Sequence, residues 1–67
     1  MKIIGKEDVK RVVYTIDEVD GYNNITYIEY IDRKNKVIDE ELRDEDGYSI
    51  HDPALLEKVQ NMVDSLQ

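Results

Sequence analysis

Hydrophobic and polar residues alternate along two neighbouring segments in the first half of the chain. In residues 9–19, VKRVVYTIDEV, extended backbone puts Val12, Tyr14 and Ile16 on one side and Val13, Thr15 and Asp17 on the other. Residues 25–32, ITYIEYID, are also rich in β-branched and aromatic residues, which favour strands. Between them, residues 20–24, DGYNN, are of types that favour turns. The pattern predicts two antiparallel strands joined by a reversal at 20–24.

A third strand is predicted at residues 36–42. An Ile-Asp pair stands on each side of residues 33–36, RKNK, and Asn35 suits a left-handed backbone position, so this segment is typical of a hairpin. Gly47 supplies a permissive backbone for the next turn, and residues 48–50 are predicted as a short extended piece. Residues 2–4 are predicted as a further short strand, which gives the sheet three or four strands.

The last part of the chain carries the pattern of an amphipathic helix. Asp52 is the predicted N-cap, and Pro53 occupies the first helical position, where a missing N–H costs nothing. The apolar residues then fall on one helical face, at Leu55, Leu56, Val59, Met62, Val63 and Leu66. The order of elements predicts an α+β fold, in which one C-terminal helix packs on one face of a three- to four-stranded antiparallel β-meander.

One helix covers only one face of such a sheet, so the other, here called the open face, is expected to be polar. Both faces nevertheless carry apolar residues. The open face would keep either Ile28 and Tyr30 or Ile25, Tyr27 and Ile31 from the second strand, and either Val13 or Val12, Tyr14 and Ile16 from the first. All five aromatic residues are Tyr, which suits half-buried and interfacial positions. The residues predicted to bind a partner there are Val13, Ile25, Tyr27 and Ile31.

Length and composition narrow the class of protein. The 67 residues are expected to form a single small domain, 1–67, of marginal stability, and the absence of cysteine excludes disulfides and thiolate zinc sites. No segment has the pattern of a signal peptide or a membrane span, so a cytoplasmic protein without membrane contact is expected. A net charge of −7 disfavours direct nucleic-acid binding, because a polyanion would be repelled.

The sequence lacks the patterns of catalytic and metal sites. His51 stands alone, without a Cys or a Ser in a recognisable nucleophile motif, and no glycine-rich phosphate loop is present. Placing Gly47 at the sixth position of a calcium loop puts Leu42 at the first, where a carboxylate is required. We therefore expect no enzymatic activity, no cofactor and no metal.

Acidic residues concentrate in the segment 39–46, which we call the acid strip. It comprises Asp39, Glu40, Glu41, Asp44, Glu45 and Asp46. Such runs are usually solvated strand ends and turns, which prevent edge pairing. The functional alternative is an electrostatic docking site for a basic partner, through Asp39, Glu41, Asp44, Glu45 and Asp46.

These patterns indicate a small acidic, non-enzymatic protein-interaction module. It is expected to form a homodimer or to dock another protein through the open face, with the acid strip as a secondary contact. The alternative is an acidic inhibitor of a nucleic-acid-binding protein, such as a phage-type inhibitor that mimics nucleic acid and uses the acid strip as its main surface.

Overall fold

The computed structural model describes Lys2 and residues 9–66. The elements are β1 (Lys10–Val19), β2 (Tyr22–Ile31), β3 (Val37–Arg43) and α1 (Pro53–Asp64). The three strands form one antiparallel sheet in the order β1-β2-β3, so within the described residues β2 is central and the other two are edge strands. The predicted α+β meander with one C-terminal helix is confirmed. The strand predicted at 2–4 lies outside the described residues, apart from Lys2.

The first turn is tighter than the sequence suggested. Asp20 (φ 49°) and Gly21 (φ 85°) both have positive φ, and Val19 pairs directly with Tyr22. Two successive residues with positive φ match the twist of the flanking strands, so two residues suffice for the reversal. The prediction of a turn over 20–24 is therefore wrong in its extent. Asn24, also at positive φ (53°), lies within β2.

The second turn follows the chemistry predicted for it. Asn35 has φ 66°, as expected for a left-handed position. The carboxylate of Asp32 accepts the backbone N–H groups of Lys34 (2.8 Å) and Lys36 (3.0 Å). A short acidic side chain thereby provides acceptors for turn N–H groups that have left the β-ladder.

The third turn uses the same arrangement. The carboxylate of Asp44 accepts the N–H groups of Asp46 and Tyr48, both at 2.9 Å, and Gly47 has φ 87°. The chain then returns along β3, where Ser49 forms an isolated antiparallel bridge with Arg43. The predicted extended piece at 48–50 is thus reduced to a single bridge.

The hydrophobic core lies between the helix and one face of the sheet. Leu55, Val59 and Val63 are buried at intervals of four residues, so they form one stripe along the helix. The buried core comprises Ile16, Val19, Ile25, Tyr27, Leu42, Leu55, Val59 and Val63. Tyr14, Ile50 and Leu56 pack against it while only partly buried.

The helix begins as predicted. The Asp52 carboxylate accepts the N–H groups of Ala54 (3.1 Å) and Leu55 (3.2 Å), and Pro53 follows as the first helical residue. These contacts satisfy backbone donors that have no partner within the helix. Leu55 belongs to the core, so the cap also fixes where the helix meets the sheet.

Replacing Asp52 by Ala is expected to lower the free energy of unfolding by about 1 kcal/mol, because the two N–H groups lose their acceptor. Urea unfolding monitored by circular dichroism measures this loss. Glu57→Ala is the matched control, since Glu57 is exposed on the same helix and its change should stay within about 0.5 kcal/mol. Equal effects of the two substitutions would contradict a capping role for Asp52.

Candidate interaction surfaces

Two of the residues predicted to bind a partner belong to the core instead. Ile25 is 0% exposed and Tyr27 is 1% exposed. They pair with Ile16 and Tyr14 of β1, and all four lie among the residues that pack in the core below the helix. The prediction that Ile25 and Tyr27 line the open face is therefore wrong, because the helix covers their side of β2.

The open face is also less exposed than predicted. Ile28, which points away from the core residue Tyr27, is only 1% exposed and lies outside the helix-facing core. Its β1 neighbour Val13 is 47% exposed. Ile31 is half-buried next to a register irregularity between Tyr30 and Ile31. Of the four apolar residues predicted to bind a partner there, Val13 is the exposed one.

A hydrogen-bonded network occupies the open face beside β3. The Tyr30 hydroxyl donates to the Glu41 carboxylate (3.1 Å), and Nε of Arg43 donates to the same carboxylate (2.7 Å). The hydrogen bond from Arg43, supported by that from Tyr30, lowers the pKa of Glu41 below its ordinary value despite an opposing contribution from burial. Glu41 is therefore ionised at neutral pH, with its charge balanced within the chain.

Several acids of the acid strip have structural partners. The Glu40 carboxylate accepts the Gln60 side-chain amide, which links β3 to the helix. The Asp39 carboxylate accepts the N–H of Glu40 (2.8 Å), and Asp44 organises its turn. Glu45 and Asp46 are exposed residues of that turn, and Asp39 is exposed as well. The strip is thus divided between local structural contacts and a small solvated turn.

A groove runs beside the edge strand β1, where the end of the helix meets the sheet. This β1 groove, of about 470 Å³, is lined by Val13, Tyr14, Thr15, Ile16, Met62, Val63, Ser65 and Leu66. Leu66 is 78% exposed, Met62 39% and Val13 47%. Sequence reasoning assigned Met62 and Leu66 to the packed helix face. The buried residues Leu55, Val59 and Val63 recur every four positions, and Met62 and Leu66 fall outside this series. That spacing could have indicated that these two side chains lie at the margin of the buried face.

The other edge strand, β3, has a different character. Val37 and Ile38 are exposed at its start (43% and 48%), and the consecutive acids 39–41 follow. The bridge between Arg43 and Ser49 occupies part of its far end. Charged residues and a covering loop are two ways in which proteins prevent edge strands from pairing with other chains.

A second cleft, of about 320 Å³, lies between β3 and the start of the helix. Its lining includes Glu41, Ser49, His51 and Asp52. Within residues 9–66, no hydrogen bond joins Ser49 to His51, and the Asp52 carboxylate is engaged in capping the helix. The described residues contain no group of three or more His, Asp or Glu side chains that could hold a metal ion. This cleft therefore lacks the connected nucleophile and base of a hydrolytic triad.

The chain matches no family model, no curated protein and no solved structure. Among the described residues, the helix is too short and too polar to span a bilayer. Of the surfaces described above, the edge of β1 combines a long strand with a groove lined by the exposed apolar side chains of Val13, Met62 and Leu66.

Proposed function

We propose that the protein is a small non-enzymatic interaction module that self-associates through the outer edge of β1 and the β1 groove. The observation that carries the proposal is the combination of a ten-residue edge strand with exposed apolar side chains beside it. Those side chains are Val13, Met62 and Leu66. An edge strand offers N–H and C=O groups for pairing, and neighbouring apolar side chains add burial when another chain is bound.

A second copy is the favoured partner because the surface is present on every molecule. A chain of 67 residues builds only a small core, and association adds buried apolar area without adding sequence. The exposed side chains of Met62 and Leu66 would gain that burial. Two copies that use the same patch form a closed dimer, which is the commonest assembly of soluble proteins.

The main alternative, an acidic inhibitor, would use the acid strip as its binding surface. Glu41 is already paired with Arg43, and Glu40 with Gln60, so both carboxylates would have to give up partners or share them. The dependence of association on salt concentration distinguishes the two proposed functions. Association through the β1 groove should persist at about 0.5 M salt, whereas an acid-led complex should weaken steeply as the screening length falls to a few ångströms.

Sedimentation tests the proposal directly. At tens of micromolar the protein should sediment faster than a 7.9 kDa monomer, and its thermal midpoint should rise with protein concentration because association stabilises the folded form. Met62→Lys should shift the protein to monomer, because the charge would have to be buried in the interface. The isolated fold should tolerate it, since Met62 is 39% exposed and Lys suits the last turn of a helix.

Ile38→Lys is the matched control, because Ile38 is 48% exposed on the opposite edge strand. It should leave the sedimentation coefficient and its concentration dependence unchanged. A wild-type protein that stays monomeric up to about 1 mM, where even about 4 kcal/mol of binding energy becomes visible, would overturn the proposal. So would a Met62→Lys variant that associates like the wild type.

A further inference from the structure

The charges of β1 are separated along the strand. Lys10 and Arg11 stand at its start, Asp17 and Glu18 stand near its end, and all four are exposed. The five residues between them, 12–16, are uncharged. In antiparallel pairing, the start of one strand lies beside the end of the other. A second copy of β1 would therefore bring opposite charges together at both ends of the junction.

The pairing register follows from the spacing of these charges. With Tyr14 on the two-fold axis, Arg11 lies opposite Asp17 of the second copy, and Lys10 lies opposite Glu18 of the second copy. The same register places Val12 opposite Ile16 and Val13 opposite Thr15, which keeps apolar and β-branched residues together. Directly opposed side chains share one face of the sheet, so the helices of both copies remain on the same side.

Neighbouring registers lose this complementarity. Moving the axis to Val13 places Arg11 opposite Thr15, and moving it to Thr15 places Asp17 opposite Val13. In either case the charged side chain faces an uncharged one. A pair of opposite charges directly across two strands is mildly stabilising, and each such pair occurs twice in a symmetric dimer.

We infer that a second copy of this chain pairs antiparallel along β1 with Tyr14 on the two-fold axis. The inference rests on the proposed function and specifies its partner and register. It joins the three strands of each copy into one continuous sheet. The Tyr14 ring, which stacks on Tyr27 with centroids 5.9 Å apart, lies opposite its own copy across the axis.

The same arrangement along β3 is unfavourable. An axis at Glu40, the central residue of β3, would set Glu40 against itself and Asp39 against Glu41 of the second copy. Like charges directly opposite each other destabilise a strand pair. With the axis at the centre of the strand, β1 thus brings opposite charges together, whereas β3 brings like charges together.

Charge reversal tests the register. Arg11→Glu places a carboxylate opposite Asp17 of the second copy, and Asp17→Arg places a second guanidinium opposite Arg11. Each single variant should weaken self-association by about tenfold, because two attractive contacts become repulsive in every dimer. An equimolar mixture of the two variants should recover association, because both contacts of the mixed dimer are attractive. The new carboxylate at position 11 of one copy faces the new guanidinium at position 17 of the other, and the unchanged Asp17 of the first copy faces the unchanged Arg11 of the second. The double variant, in which both signs are exchanged and every contact is again attractive, should recover wild-type association in full.

Sedimentation of each variant provides the readout, and circular dichroism verifies that each variant is folded. Lys34→Glu, a charge reversal in the exposed second turn, should leave association unchanged. Wild-type association combined with no recovery in the double variant would overturn the register and leave the proposed function standing. A wild type that does not associate at all would instead overturn the proposed function, and the inference with it.

Discussion

Replacing Tyr27 by Ala is expected to leave the protein largely unfolded at 25 °C. Tyr27 is 1% exposed on the central strand, where it pairs with Tyr14 of β1 and Leu42 of β3. Truncation of a buried aromatic side chain to Ala costs about 3–5 kcal/mol. A domain of this length has a total stability of about 3–10 kcal/mol, at roughly 0.05–0.15 kcal/mol per residue. The loss is therefore comparable with the whole free energy of unfolding.

Tyr27→Phe is the matched control, because it removes the hydroxyl and keeps the ring. That hydroxyl donates to the Glu29 carboxylate at 3.3 Å. Burial, together with the nearby carboxylates of Glu40 and Glu29, raises the pKa of Tyr27 well above its ordinary value, so the phenol stays protonated. Removing this hydrogen bond to a charged group should lower the free energy of unfolding by no more than about 3 kcal/mol. Urea unfolding at one fixed protein concentration compares the two variants, and a midpoint for Tyr27→Ala near that of the wild type would contradict the core position of this ring.

The elements of the fold could be predicted because each has a local cause. Asp52 and Pro53 define the start of the helix through capping, and Asn35 and Gly47 supply positive φ in the second and third turns. The first turn was overestimated because Asn24 resembles a turn residue. It does adopt a left-handed conformation, but inside β2, after the chain has already reversed at residues 20–21.

The candidate site was harder to predict because it depends on contacts between distant segments. Alternation alone left both faces of β2 apolar, so the sequence did not indicate whether Tyr27 or Ile28 faces the helix. Met62 and Leu66 line the groove beside β1, a placement that depends on how the helix packs against the sheet. The engagement of Glu40 by Gln60, twenty residues away, likewise has no local signature in the acid strip.

The second large loss of stability is expected from a substitution at Ile28, which lies on the open face of the sheet. Ile28→Lys is expected to destabilise the protein by several kcal/mol, because Ile28 is 1% exposed and an ammonium group placed there loses its hydration. The expected loss comes from burial on the open face and not from contact with the helix-facing core, of which Ile28 is no part.

Val13→Lys is the matched control for this substitution, since Val13 lies directly opposite Ile28 on β1 and is 47% exposed. At a protein concentration at which sedimentation detects the monomer, Val13→Lys should change the free energy of unfolding by no more than about 0.5 kcal/mol. Urea unfolding of both variants at low micromolar concentration measures the difference. If Ile28→Lys unfolds at the wild-type midpoint, the side chain at position 28 reaches solvent, and the open face is as accessible as the sequence first suggested.

A large loss of stability in Ile28→Lys, together with a small one in Val13→Lys, would instead show that the open face is buried at its centre and accessible along β1. The β1 side of this face borders the proposed dimer contact.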